Sequence, residues 1–233
     1  MRRLGQIGRA NPSGSPIQSP LYIATGTAVD LSVATNPAYG TNAAGDLFVM
    51  QVGIRHSGTY TPPIAPGGWV QVAGPNDQSN TAQYIYTRTA RSTGGETGTK
   101  SITAISTPGG QAVIHTFRAV ATSSFTEGIV STGSAINSTS ISAPSVTTLG
   151  PARLAVAFVV LGDDLGTIVS FTGESGGDWV SRFSRQATVG VDSGLDLQSA
   201  QMASTGTITG GSYTPGSGYN DINNVIGLAF VGV

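Results

Sequence analysis

The sequence contains no cysteine, only two histidines and few charged side chains. The absence of cysteine excludes a disulfide framework, a thiolate nucleophile and a cysteine-ligated metal site. Charged residues make up 10% of the chain, against roughly 25% in an average soluble domain. The formal net charge of −1 excludes a chain-wide basic footprint for nucleic acid. No apolar run approaches the roughly 20 residues of a membrane helix, so we expect no membrane segment.

The abundant residues are those of short strands and tight turns. Glycine (33 residues) and proline (12 residues) accompany many serines, threonines, valines and asparagines, and no long segment has a helical periodicity. A hydrophobic fraction of 39% is sufficient for a packed core. We therefore predict an all-β fold, a jelly-roll-like antiparallel β-sandwich. The predicted strands are 21–34, 46–55, 69–73, 82–90, 99–106, 111–120, 127–133, 138–146, 152–161, 167–172, 179–184, 194–202, 205–209 and 223–232.

Residues 1–20 differ from the rest of the chain in charge. This segment has no acidic residue, and its charged side chains are Arg2, Arg3 and Arg9. It also lacks the apolar core of a signal peptide. We predict a flexible basic N-terminal arm followed by a single β-sandwich domain at 21–233. The arm is either a disordered terminus or an extended segment that becomes ordered on a neighbouring subunit.

The two halves of this domain, about 21–120 and 127–233, resemble each other. The segment GTAVDLSVATNPAYGTNAAGDLFVMQV aligns without a gap on GSAINSTSISAPSVTTLGPARLAVAFV, so that Leu47 falls opposite Leu154. Later landmarks follow in the same order at a slowly increasing offset. The sequence therefore predicts an internal pseudo-duplication, in which two related halves face each other in one sandwich.

Trp69 and Trp179 are the only tryptophans, and they occupy the same place in the two halves. Each follows a glycine-rich turn and begins a predicted strand. We interpret both as core anchors whose indole N–H finds a carbonyl at the sheet edge. The alternative is a stacking platform for a sugar.

Two predicted strands, LAVAFVVL (154–161) and VIGLAFVGV (225–233), are apolar on both faces. A solvated antiparallel strand would alternate, so the second face must be covered by a loop, the arm or another subunit. The small residues Ala155, Ala157 and Gly227 would let a neighbour approach closely. We therefore predict a subunit interface at these residues and a homo-oligomer, with a trimer favoured.

The residues that could carry chemistry do not form a catalytic pattern. His115 lies within the strand pattern VIHTF and is interpreted as a hydrogen-bonded strand histidine. His56 opens the loop HSGTYTPP, where we expect it at the surface. No nucleophile elbow, phosphate-binding loop or dinucleotide fingerprint is present. Four acidic residues lie on loops of the second half and are interpreted as turn carboxylates, with a calcium site or a catalytic pair as alternatives: Asp163, Asp164, Glu174 and Asp178. We therefore expect that the protein has no enzymatic activity and that it binds neither a cofactor nor a metal ion.

The segment GDLFVMQVGIRHSGTYTPPIAPGGWVQVAG (45–74) combines a strand, a Thr/Pro-rich loop and the motif P-x-G-W. With IYTRTA, AVIHTFRAV, ARLAVAFVVLGDD and NNVIGLAFVGV it resembles a jelly-roll module of tailed-bacteriophage structural proteins. That resemblance implies a place in capsid decoration, head-fibre or tail proteins. No collagen-like or coiled-coil shaft accompanies the domain.

The leading hypothesis is a non-enzymatic capsid decoration or cement protein, located in the virion. It would bind other virion proteins such as the major capsid protein through the arm, with Arg2, Arg3 and Arg9, and through one sandwich edge. The alternative is a tail or fibre protein whose loops bind host-surface glycans. The loop residues suited to glycan contacts, which equally suit plain turns, are Tyr60, Asn76, Asp77, Tyr213, Tyr219, Asn220 and Asp221.

Overall fold

A computed structural model describes residues 17–31, 36–102, 109–162, 170–186, 193–214 and 221–233. This part of the chain contains no helix and is built from antiparallel strands. The strands are β1 (Leu21–Thr25), β2 (Val29–Asp30), β3 (Leu47–Arg55), β4 (Trp69–Gln78), β5 (Thr81–Arg88), β6 (Gly109–Arg118), β7 (Thr126–Ser138), β8 (Ile141–Ser142), β9 (Val146–Thr148), β10 (Arg153–Leu161), β11 (Thr172–Ser175), β12 (Val180–Gln186), β13 (Gly194–Met202), β14 (Gly206–Tyr213) and β15 (Asp221–Val231).

Most of the predicted strands are present, and the differences lie at the loops. The predicted strand 99–106 is wrong over 99–102, where Thr99 forms only an isolated bridge with Ala38; the rest of it lies outside the described residues. Residues 167–169 of the predicted strand 167–172 also lie outside them; the prediction is wrong at 170–171, and β11 begins at Thr172. The predicted strand 138–146 is divided into β8 and β9. Pro144 lies between these two short strands and has no N–H to donate to a ladder.

Within the described residues the strands form three sheets. The first has the order β1-β6-β3-β5-β4, with β2 beside β6, and the second has the order β12-β13-β10-β15-β7. The third is small and joins β11, β14 and β8, with β9 also paired to β14. Each of the two larger sheets takes its strands from one half of the chain. The prediction of an antiparallel all-β sandwich is confirmed.

The two larger sheets have the same topology, which confirms the predicted duplication. If β1, β3, β4, β5 and β6 are matched with β7, β10, β12, β13 and β15, both sheets have the same strand order. The registers also correspond, because Leu47 pairs with Phe117 where Leu154 pairs with Phe230. The gapless alignment is wrong at its start, where it places Val29 opposite Ile136. Val29 pairs with Ala112, and Val225, the residue equivalent to Ala112, pairs with Thr132.

Equivalent faces of the two sheets pack on each other and form the central core. Leu47, Val49 and Phe117 of the first sheet meet Leu154, Val156 and Phe230 of the second. The rings of Phe117 and Phe230 lie 4.7 Å apart. The central core thus joins the two halves of the chain by burying matched apolar side chains.

The outer face of each large sheet is covered by the chain itself. On the first sheet, Phe48, Met50 and Trp69 pack beneath loop residues that include Tyr39 and Ile102. On the second sheet, the outward side chains of β10 and β15 pack against residues of the third sheet and its loops: Ile141, Val146, Phe171, Ile208 and Tyr213.

Ala155, Ala157 and Gly227 are therefore not at a subunit interface, and that prediction is wrong. Ala155 and Ala157 are fully buried within one chain, and a Cβ added at Gly227 would overlap the ring of Pro144. The small residues do allow close approach, but the neighbour is the segment that contains β8 and β9. The sequence pattern indicated that the second face of these strands must be buried. It could not identify which segment buries it.

Both tryptophans are core anchors, as predicted, and the sugar-platform alternative is wrong. Trp69 packs in the outer core of the first sheet and Trp179 in that of the second, so neither ring is presented to solvent. Neither indole N–H has a hydrogen-bond partner among the described residues. The carbonyl partner expected for each indole is thus not found in the described part.

Two buried amides join the large sheets at equivalent positions. Gln111 Nε2 donates to the carbonyl of Ser193 at 2.6 Å, and Asn224 Nδ2 donates to the carbonyl of Thr81 at 2.8 Å. Gln111 and Asn224 lie near the start of the last strand of each half. Since a buried carbonyl without a partner is costly, these bonds favour one relative placement of the sheets.

We predict that Gly227→Ala destabilises the fold, by about 1–3 kcal/mol, because the added methyl group overpacks the contact with Pro144 and Val146. Chemical denaturation measures the change. Gly206→Ala is the matched control, because a Cβ at Gly206 meets nothing within 4 Å. Equal stability of the two variants would contradict the conclusion that the segment containing β8 and β9 packs on β15.

Candidate ligand-binding site

Of the five predicted glycan-contact residues that are described, the structure brings two together and directs the other three to different contacts. Tyr60 and Asp77 meet at the end of the sandwich where β3 ends, with 3.4 Å between the phenol oxygen and Asp77 Oδ2. Asn76 is buried, and its amide donates to the carbonyl of Thr132 on β7 at 2.8 Å. Its role is to hold β4 against β7, so its assignment as a glycan contact is wrong.

Tyr213 and Asp221 make other contacts. Tyr213 is buried in the outer core of the second sheet, which contradicts its assignment as a glycan contact. Asp221 forms an ion pair with Arg55 at 2.7 Å. Tyr219 and Asn220 lie outside the described residues, as do the arm residues Arg2, Arg3 and Arg9.

His56 and Tyr84 complete a cluster that we call the Tyr60 cluster, made of His56, Tyr60, Asp77 and Tyr84. The His56 and Tyr60 rings stack with centroids 4.4 Å apart, and His56 Nε2 lies 3.1 Å from Asp77 Oδ1. The two phenol oxygens of Tyr60 and Tyr84 are 2.7 Å apart. Sequence reasoning placed His56 on the loop surface, whereas its ring is buried beneath Tyr60.

The backbone around β4 explains why these side chains converge. His56 follows β3 directly, and its N–H donates to the carbonyl of Asn80 at 2.7 Å. Register shifts in β4 near Ala73 and Asn76 change which side chains face inward, as bulges do. As a result Asn76 is buried, while Asp77 turns outward with 44% of its side chain exposed.

A row of tyrosines fixes the loop 56–68 on the first sheet. Tyr84 and Tyr86 stack on β5 with centroids 6.2 Å apart, and the Tyr86 hydroxyl donates to the carbonyl of Pro63 at 2.8 Å. Burial, then the hydrogen bond to Tyr84 and the charge of Asp77, raises the pKa of Tyr60. Burial also raises the pKa of Tyr84 and Tyr86. All three phenols therefore remain protonated hydrogen-bond donors at neutral pH.

The Tyr60 cluster presents a carboxylate acceptor beside a partly exposed aromatic ring. Asp77 can accept hydrogen bonds from ligand hydroxyls, and the Tyr60 ring offers apolar area beside them. The buried Nδ1 of His56 has no hydrogen-bond partner among the described residues, so no hydroxyl nucleophile is placed against it. This arrangement is suited to binding a polar ligand.

The second histidine is buried between the large sheets. His115 Nδ1 lies 2.8 Å from Thr25 Oγ1, and its Nε2 lies 3.1 Å from Gln51 Oε1. Gln51 in turn donates to the carbonyls of Val159 and Asp196. Burial lowers the pKa of His115 to about 3, so the ring is neutral and supports the contact between the sheets. This agrees with the interpretation of His115 as a hydrogen-bonded strand histidine.

Two of the four acidic loop residues singled out in the second half are described. Glu174 accepts a hydrogen bond from the N–H of Trp179 at 3.3 Å, and Asp178 is exposed in the turn before β12. Asp163 and Asp164 lie outside the described residues. The described residues contain no group of three or more His, Asp or Glu side chains that could hold a metal ion.

Comparisons with protein-family models, with curated proteins and with solved structures find no match for this chain. Among the described residues, no helix is long and apolar enough to cross a membrane.

We predict that protonation of His115 weakens the fold at acid pH. Because the pKa of His115 is about 3 in the folded chain and about 6.5 when unfolded, its contribution to stability is full above pH 6.5. That contribution is lost as the pH falls toward 3, and the loss reaches about 2 kcal/mol at pH 5. His115→Leu, which copies the equivalent Leu228, should lose less stability than the wild type between pH 7 and pH 5.

Urea denaturation of both proteins at several pH values measures this difference. Burial raises the pKa of Asp196, so that carboxyl favours folding as the pH falls, but it is present in both proteins and cancels in the comparison. Identical losses of stability for wild type and variant would contradict the role assigned to His115.

Proposed function

We propose that the protein is a non-enzymatic structural protein of a virus particle, and specifically a capsid decoration protein that binds and stabilises the assembled shell. The proposal is supported chiefly by the end of the sandwich that carries residue 17, to which the basic segment is joined. Exposed apolar residues lie at this end, where Gln18 bonds to Val233, Leu21 pairs with Arg118, and the loop after Leu149 lies against Gly232 at Ala152. We call this surface the terminal rim; it comprises Ile17, Leu21, Leu149 and Val233.

Backbone contacts hold the terminal rim in place. The N–H of Gln18 donates to the carbonyl of Val233 at 2.6 Å, and the N–H of Val233 donates to the carbonyl of Ala119 at 3.2 Å. The carbonyl of Pro20 accepts a hydrogen bond from Gln201 at 2.8 Å. The segment 17–20 is therefore part of the folded domain, and an attachment arm would begin before it.

Two ion pairs lie near the terminal rim. Arg118 holds Asp46 with two hydrogen bonds of 2.9 Å, and Arg153 holds Glu127 at 2.8 Å. A partner that covered the rim would bury apolar surface at roughly 25 cal/mol per Å² without leaving one of these charges unpaired. Basic residues of the arm would add attraction to an acidic partner surface.

This mode of attachment is adhesive and needs no reacting group. The rim and arm would bind the major capsid protein, and the rigid sandwich would project outward and brace neighbouring capsomers. A homo-oligomer, with a trimer favoured, would multiply the weak contact of each copy. The location that follows is the virion.

A second candidate function rests on the Tyr60 cluster. In that case the chain is a tail or fibre protein, and the loop 56–68 binds glycans of a host surface. The exposed carboxylate of Asp77 beside the Tyr60 ring supports it, because a carboxylate and a ring face suit the hydroxyl edge and the apolar face of a sugar.

We predict that removal of residues 1–16 abolishes binding to particles that lack this protein, while the melting temperature changes little. Leu149→Asp should weaken binding by at least tenfold, because it places a charge in the apolar rim, where Leu149 is 78% exposed. Ile64→Asp is the matched control, since Ile64 is also exposed but lies in the loop 56–68. Cosedimentation with depleted particles measures binding. Full binding by the truncated chain and by Leu149→Asp would refute attachment through the arm and rim.

We predict, for the second candidate, that a glycan array gives hits that Asp77→Ala removes and Tyr60→Phe weakens, because the first change removes the acceptor and the second removes only the hydroxyl group. Asp178→Ala, an exposed carboxylate elsewhere, is the control. An array without hits, or hits that survive Asp77→Ala, would exclude glycan binding at this cluster.

A further inference from the structure

A small polar pocket lies between β7, β8 and β15, and it shares no lining residue with the Tyr60 cluster or the terminal rim. We call it the serine pocket, and its volume is about 230 Å³. It is lined by Thr132, Gly133, Ser134, Ser138, Ser140, Ser142 and Asn223. Among these lining residues there is no charged side chain and no large apolar side chain.

The pairing of β7 with β15 creates the space for this pocket. Asp221 pairs with Ser138 and Asn223 pairs with Ser134, so three residues of β7 lie opposite one residue of β15. The extra residues make β7 bend away from its partner, as strands do at bulges. Bulges of this kind are common beside functional sites because they redirect side chains.

Asn223 is the residue that distinguishes the serine pocket from an ordinary surface depression. Its side chain is almost fully buried, with 2% exposure, and its Nδ2 has no hydrogen-bond partner among the described residues. An unpartnered buried donor costs about 1–3 kcal/mol. Because Asn223 lines the pocket, a small rotation of its side chain would bring this donor to a ligand oxygen there.

The hydroxyl groups of the pocket are already partly ordered. Ser138 Oγ donates to the carbonyl of Ser140 at 2.8 Å and accepts from its N–H at 3.2 Å. Thr132 Oγ1 lies 3.5 Å from the carbonyl of Ser142. A hydroxyl group has one donor and two acceptor positions, so this lining offers both kinds of partner to a ligand that carries hydroxyl groups of its own.

We infer that the serine pocket binds a neutral, hydroxyl-rich ligand of the size of one sugar ring. The described lining residues include no cation to balance an anion and no carboxylate to hold a cation, which favours a neutral ligand. Its volume is below the roughly 300 Å³ at which pockets for drug-sized ligands begin, so a single ring fits and a longer chain would have to extend into solvent. This inference does not depend on the proposed attachment to a capsid.

The experiment titrates the full chain, labelled with ¹⁵N, with the methyl glycosides of glucose, galactose, mannose and N-acetylglucosamine. Sodium sulfate and methyl glucuronoside serve as charged probes. At least one neutral glycoside should saturate at millimolar concentration and shift the Asn223 side-chain amide together with backbone amides of 138–142. The charged probes should cause no comparable shift.

Two variants and a control locate the ligand. Thr132→Val, which removes a hydroxyl group at nearly constant shape, and Asn223→Leu should each weaken binding by at least tenfold. Thr147→Val is the control, because Thr147 carries an exposed hydroxyl group on β9 outside the pocket. Because Thr132 is partly exposed, its variant tests the pocket even if Asn223→Leu does not fold.

The inference is overturned if no neutral glycoside shifts these amides at 50 mM, if sulfate shifts them equally, or if Thr132→Val binds like the control. Shifts confined to Tyr60 and Asp77 would also overturn it, and they would support the second candidate function instead. Loss of particle attachment in the arm truncation leaves this result unchanged, so the two proposals fail separately.

Discussion

Each of the two large sheets has apolar side chains on both faces, and all of these faces must be removed from water. The two inner faces cover each other through Leu47, Phe117, Leu154 and Phe230. Loops cover the outer face of the first sheet, and the small third sheet covers that of the second. This requirement accounts for the long connections, because they supply the covering layers as well as joining strands. It also accounts for the tight contact at Gly227, where β15 lies against Pro144.

The sequence predicted much of the fold because strand patterns and duplication are local or periodic properties. Alternation, turn residues and the paired tryptophans were sufficient for the all-β class and for two related halves. The cover of the second sheet could not be predicted, since the segment around Val146 forms only a three-residue strand and has too little pattern to assign. Ala155 and Ala157 therefore suggested a subunit interface where the chain folds on itself.

The candidate sites were less predictable, because side-chain direction depends on bulges that leave little trace in a sequence. Asn76 and Asp77 are neighbours of equally polar type, yet a register shift in β4 buries the first and exposes the second. His56 looked like a surface residue, and only the fold of its loop places Tyr60 over it. The serine pocket arises in the same way, from unequal residue numbers on β7 and β15.

The duplicated arrangement has a consequence for how the two halves can vary. In a symmetric dimer of half-length chains, each substitution would occur twice, and a polar group at the centre would have to face its own copy. Fusion into one chain removes that restriction. His115 pairs with Val49 at the position where Leu228 pairs with Val156, and Gln51 stands where the other half has Phe158. One side of the central contact thus carries a hydrogen-bonded polar group and the other an apolar surface, a division of labour that strict twofold symmetry forbids.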